Sequence, residues 1–67
     1  MSEFAKRLKE LRLEKGLSQW ELAKQVGITH TAINLWELDK RVPSLDNAIT
    51  LAKYFGVTLD YLAGLED

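Results

Sequence analysis

The sequence has no cysteine, one proline, one histidine and no apolar run near the ~18 residues of a membrane-spanning helix. Without cysteine, neither disulfides nor thiolate metal sites can support the fold. His30 has no second histidine or cysteine to join it on a metal. No segment alternates apolar and polar residues long enough to build a sheet. There is no glycine-rich phosphate loop, and no serine–histidine–carboxylate arrangement with a visible logic. The glutamates are spread along helices as solvated charges, some paired with Lys or Arg. Enzyme activity, a metal, a cofactor and a small-molecule ligand are therefore not expected. The first ten residues, MSEFAKRLKE, are amphipathic and mixed in charge, unlike a secretory signal.

What is present is a chain of 67 residues with 46% hydrophobic residues, enough for one small domain over residues 1–67 with its own core. The net charge of −1 argues, taken alone, against nucleic acid. Its distribution is more informative. Residues 1–41 carry eight Lys and Arg against six Asp and Glu; residues 42–67 carry one against four. The basic groups belong to the first two thirds. A plain solvated surface is the alternative reading of so modest an asymmetry.

Helix signals repeat along the chain and predict an all-α domain with helices at about 3–15, 19–26, 30–37, 45–55 and 59–63. Ser2 is a plausible N-cap, and Phe4, Leu8 and Leu11 form an apolar stripe behind it. Gly16 suits the left-handed position after the helix. Ser18 with Glu21 makes a capping box, and Leu17 can staple onto Leu22. Gly27 stops that helix, and Thr29 caps the next. Pro43, in the loop D-K-R-V-P, cannot sit inside a helix without cost. Ser44 and Thr58 cap the last two helices.

The second and third helices are too short to be stable alone. Ala23, nearly without a side chain, allows close approach. Gly27 permits a sharp turn. Ile33 fills the crevice, and Trp36 plugs its base. This spacing is that of two helices crossing steeply through a short turn, a helix-turn-helix. The opposite face of the third helix then protrudes with His30, Thr31, Asn34 and Leu35, and a helix held out this way fits the major groove of DNA. The same Ala-Gly-Ile pattern also occurs as plain packing in α-bundles.

Five motifs together carry a resemblance: L-x-x-L-R-x-x-K-G-L-S-Q at 8–19, E-L-A-x-x-x-G-I-T at 21–29, W-E at 36–37, K-R-V-P at 40–43, and L-A-x-Y-F-G-V-T-L-D-Y-L at 51–62. Over residues 4–64 the chain resembles the DNA-binding domain of the lambda-repressor/Cro-like (XRE-type) transcription regulators. The resemblance implies a five-helix lambda-repressor-like domain that binds double-stranded DNA. It implies a bacterial, cytoplasmic, nucleoid-associated regulator, a repressor of prophage or plasmid type or a similar bacterial regulator. Gln19 matches the position that contacts phosphate and the outermost base. Thr29, His30, Thr31, Asn34 and Leu35 match base-facing positions. Lys40 and Arg41 match the loop that grips phosphate, and Arg12 and Glu37 match an ion pair that orients the recognition helix. It also implies a homodimer through Leu59, Tyr61, Leu62 and Leu65, reading a pseudo-palindromic operator; closure of a monomer core is the other reading of those residues.

Three residues depart from the family pattern. Leu35 replaces a long polar or basic residue and offers apolar contact, for example with a thymine methyl, or else is partly buried. Trp20 replaces a small or charged residue. Its indole can donate to phosphate while the ring packs on a sugar, or it is an exposed aromatic on helix 2. Asp39 replaces a glycine; Asp tolerates left-handed geometry better than most residues. His30 either contacts base or phosphate or stands idle. A different class remains alongside: a helical protein-interaction module, antitoxin-like or an adaptor, using Trp20 and Leu35.

Overall fold

A computed structural model describes residues 2–66. Among these are five α-helices and no strand: α1 (Glu3–Glu14), α2 (Gln19–Val26), α3 (His30–Glu37), α4 (Leu45–Phe55) and α5 (Leu59–Ala63). Each begins at a hydroxyl. Ser2, Ser18, Thr29, Ser44 and Thr58 all sit in extended backbone and accept the N–H of the residue three further on. Each cap satisfies a donor that the first helical turn cannot, a contribution of about 1 kcal/mol. α1 stops at Glu14, and Lys15 is its C-cap, one residue short of the expected end. The chain turns left-handed at Gly16, so the ladder cannot run further.

The helix ends are as uniform as the starts. A left-handed residue follows every helix, and the next N–H reaches back to the carbonyl five residues earlier, as in Ile28 N–H to Ala23 O at 3.2 Å. Four of these residues are glycine. The fifth is Asp39, at φ 62°, with the Lys40 N–H donating to Leu35 O at 2.9 Å. Its side chain does further work, because Asp39 Oδ2 accepts the Ser2 N–H at 2.7 Å and ties the start of α1 to the end of α3.

The core sits where α1, α2, α3, α4 and α5 converge. Leu8, Leu22, Ile33, Leu51 and Leu62 have no exposed surface. Burial of each contributes about 1.5–3 kcal/mol. Leu17 packs onto this cluster from the loop before α2, and the Phe4 ring meets the edge of Trp36 at 6.3 Å. Leu62 was placed above among the residues for a partner subunit. It is instead a core residue, because α5 must turn one leucine inward to close the base, and that side chain offers nothing to a second molecule. Arg7 fixes α5 against α1: its guanidinium lies 4.3 Å from the Tyr61 ring centre and donates to the carbonyls of Tyr61 and Glu66.

Candidate nucleic-acid interface

α2 and α3 have eight residues each. The Ser18 hydroxyl accepts the Glu21 N–H at 3.1 Å, and Glu21 accepts the Ser18 N–H at 2.8 Å. That backbone donor holds the Glu21 carboxyl below its ordinary range. α2 ends at Gly27, at φ 70°, a conformation that would strain any residue with a Cβ. The chain turns through Ile28 and restarts at Thr29. Ala23 is buried between the two helices, and Ile33 and Trp36 close the same seam. An α2–turn–α3 unit with a small residue at the crossing, a left-handed glycine and an outward α3 face is a helix-turn-helix.

α3 is held by charge as well as packing. Arg12 Nε lies 2.7 Å from Glu37 Oε2, and Nη2 lies 2.9 Å from Oε1. The third guanidinium nitrogen donates to Leu17 O at 2.8 Å. Gln19 Nε2 donates to Glu37 Oε1 at 3.1 Å. Arg12 and Glu37 are both buried, at 8% and 5% exposure, yet no buried side-chain polar atom among the described residues lacks a partner. The fork onto Glu37 raises the Arg12 pKa against the opposing effect of burial. One carboxylate at the end of α3 thus collects α1 and the first residue of α2.

None of the expected base-facing residues is buried. Thr29 and Thr31 are exposed; His30, Asn34 and Leu35 are half-buried. Thr29 also spends its hydroxyl on the Ala32 N–H at 3.2 Å. Gln19 is half-buried with its amide nitrogen turned to Glu37. Trp20 is 70% exposed, and its ring lies parallel to His30, with centres 4.2 Å apart and planes 2° from coplanar. Lys40 and Arg41 project from the loop after α3. Arg41 borders a shallow depression with Leu35, Ser44 and Asn47 at the start of α4.

Of the residues named for a partner subunit, Leu59 and Tyr61 are half-buried and Leu65 is exposed. Leu59 borders an apolar groove with Phe4, Val42, Pro43 and Ala48. Sequence reasoning missed the Trp20–His30 stack, the Gln19–Glu37 bond, the Asp39–Ser2 bond and the position of Asn47 beside Arg41. Each joins residues whose separation has no helical or strand period, so no local pattern announces them. Among the described residues no group of three His, Asp or Glu is placed to hold a metal ion, and no helix is long and apolar enough to cross a membrane.

The helix-turn-helix family model matches residues 8–62. The chain belongs to this lambda-repressor-like (XRE-type) family. It is 38% identical over 65 residues to the HTH-type transcriptional activator BcrR of Enterococcus faecalis, covering 97% of this chain and 32% of that protein. It is 43% identical over 54 residues to the HTH-type transcriptional regulator PuuR of Escherichia coli K12, covering 81% of this chain and 29% of that protein. The chain therefore spans about a third of the length of these curated relatives. Among solved structures, the restriction-modification controller protein C.AhdI from Aeromonas hydrophila superposes with TM-score 0.81 at 36% identity, covering 91% of this chain and 92% of that one. The P22 c2 repressor protein, solved in complex with a synthetic operator, gives TM-score 0.87 at 28% identity over 94% and 96% of the two chains.

Proposed function

We propose that this chain is the DNA-reading domain of a transcriptional regulator that represses by occupying an operator. The observation that carries the reading is the α3 outer face, free of the core and rigidly oriented by the Arg12–Glu37–Gln19 network, in a member of this family. α3 enters the major groove, and Thr29, His30, Thr31, Asn34 and Leu35 face base edges. Gln19, Lys40 and Arg41 meet phosphates and set the register, while Trp20, whose ring is stacked on His30, is kept off the phosphates. The partner is a pseudo-palindromic double-stranded operator, bound by a homodimer that joins through Leu59, Tyr61 and Leu65. Its half-sites lie about one helical turn, ~34 Å, apart. No catalytic step is part of this reading, and the site of action is the cytoplasm and nucleoid.

The complex with operator DNA of the P22 c2 repressor, whose fold this chain shares, supports the reading. Selection of bound duplexes from a random pool tests it. A single enriched palindrome is the expected outcome; a folded protein that enriches no sequence refutes specific readout. Salt separates this reading from a protein-binding module. DNA affinity should fall steeply with salt as counterions are released, and Lys40→Ala should reduce the logarithmic slope by about 1. Binding of a protein partner through Trp20 and Leu35 would be nearly flat.

A further inference from the structure

We propose that Trp20 is a positioning residue for base readout, acting through His30. The inference rests on the DNA reading above and deepens it. Trp20 is 70% exposed, so its indole adds little to the core. Its close partner is the imidazole of His30, parallel to it at 4.2 Å. That geometry is a parallel, offset stack, which limits the torsions of His30 without using its hydrogen-bonding edge. Among the described residues neither ring nitrogen of His30 bonds to protein. His30 is the first residue of α3, where side chains of a recognition helix reach base edges.

The two residues belong to different helices on either side of the turn, so the stack also pins the start of α3 to the start of α2. An imidazole stacked on one face has its in-plane nitrogens directed past the ring edge. The indole thus prepays part of the ordering that a free side chain loses on binding. A ring N–H held this way is a donor matched to purine N7 or guanine O6 in the major groove. Trp20 therefore sharpens discrimination at one base pair, the one His30 faces, without itself touching that base.

The test uses the selected operator and a set of duplexes each changed at one base pair, with binding read by fluorescence anisotropy. Proteins are the parent chain, Trp20→Ala, Trp20→Phe, His30→Ala and the Trp20→Ala/His30→Ala double variant. Trp20→Ala should weaken operator binding about two- to tenfold. It should relax preference at the same base pair as His30→Ala, and Trp20→Phe should restore it. In the His30→Ala background, Trp20→Ala should have no further effect. An equal loss in both backgrounds, or a loss uniform across base pairs, means that Trp20 meets DNA directly and overturns the proposal. An unchanged operator affinity overturns it as well.

The stack itself is read in the free protein. The His30 ring protons should be shifted upfield by the indole in NMR spectra and return toward ordinary positions in Trp20→Ala. Absence of that shift overturns the proposal at its base. Trp20 is exposed, so the variant should melt within a few degrees of the parent and loss of fold is distinguishable. If no duplex is enriched, the DNA reading fails and the readout role with it, while the ring shift still reports the stack.

Discussion

Glu37→Gln removes one negative charge from the more buried of the ionic contacts among the described residues and changes almost nothing in shape. Arg12 and Glu37 form a two-bond fork at 2.7 and 2.9 Å, with side chains only 10% and 4% exposed. Removing one partner of such a pair leaves a buried, uncompensated guanidinium, a loss of about 3–5 kcal/mol. Two features reduce it here. Gln can still accept one bond, and Arg12 retains Leu17 O at 2.8 Å. A loss of about 2–3 kcal/mol is expected on that basis. For a domain this size each kcal/mol moves the midpoint by about 4–8 °C, so Tm should fall by roughly 8–24 °C in circular-dichroism melts. The physical claim is that the unpaired charge, not lost packing, causes the fall. Pairing Glu37→Leu with Arg12→Met tests it, since replacing both ions by apolar groups of similar volume is often neutral or stabilising. The double variant should melt above either single one. A double variant less stable than Glu37→Gln alone, or a Tm shift under about 3 °C in that single variant, would refute the reasoning.

Gly64→Ala should cost clearly more than Gly27→Ala. Both glycines are left-handed, at φ 84° and 70°, but a Cβ on Gly64 would overlap the Glu3 side chain while one on Gly27 meets open space. Gly27→Ala should cost about 1–2 kcal/mol in urea melts, and equal losses would argue against the steric account. Asp39 has its pKa lowered by Ser2, through its side-chain hydroxyl first and its backbone N–H second, so its stabilisation is present at neutral pH and is lost as pH falls through and below the ordinary carboxylate range. Asp39→Asn keeps the left-handed turn, so the Tm gap between parent and variant should shrink on acidification; a gap that widens would contradict this sign. Leu62→Ala should lose about 2–5 kcal/mol in the same urea melts, whereas Leu65→Ala should leave folding unchanged and weaken self-association in sedimentation experiments.

The caps made the fold legible. A hydroxyl followed by a helical apolar stripe and closed by a glycine is a signal written within a dozen residues, and it recurs along this chain. Asp39 closes α3 as the glycines close the others, and its choice is understood only once Ser2 is seen against it. The seam of Ala23, Gly27, Ile33 and Trp36 was readable for the same local reason. Which side chains meet across the turn was not. Trp20 and His30 are ten positions apart on separate helices, and no periodicity brings them together. Leu62 carried two readings, core closure and a partner contact, because an apolar residue on a short terminal helix has the same appearance whether it closes a core or meets a second molecule; its burial selects the first. Only the direction in which α5 packs distinguishes the two, and Arg7 on α1 sets that direction.

The contacts made by α1 at its start have a topological consequence. Gly64 lies against Glu3, and Arg7 donates to the Glu66 carbonyl, so the two ends of the described chain meet. A domain whose ends touch is a ring cut at one place. A short linker between those ends, with new ends opened at the exposed turn between α4 and α5, reorders the helices along the chain while leaving each against its present neighbours. The α2–turn–α3 unit then supplies the third and fourth helices of the chain instead of the second and third, with its fold and outward face unchanged.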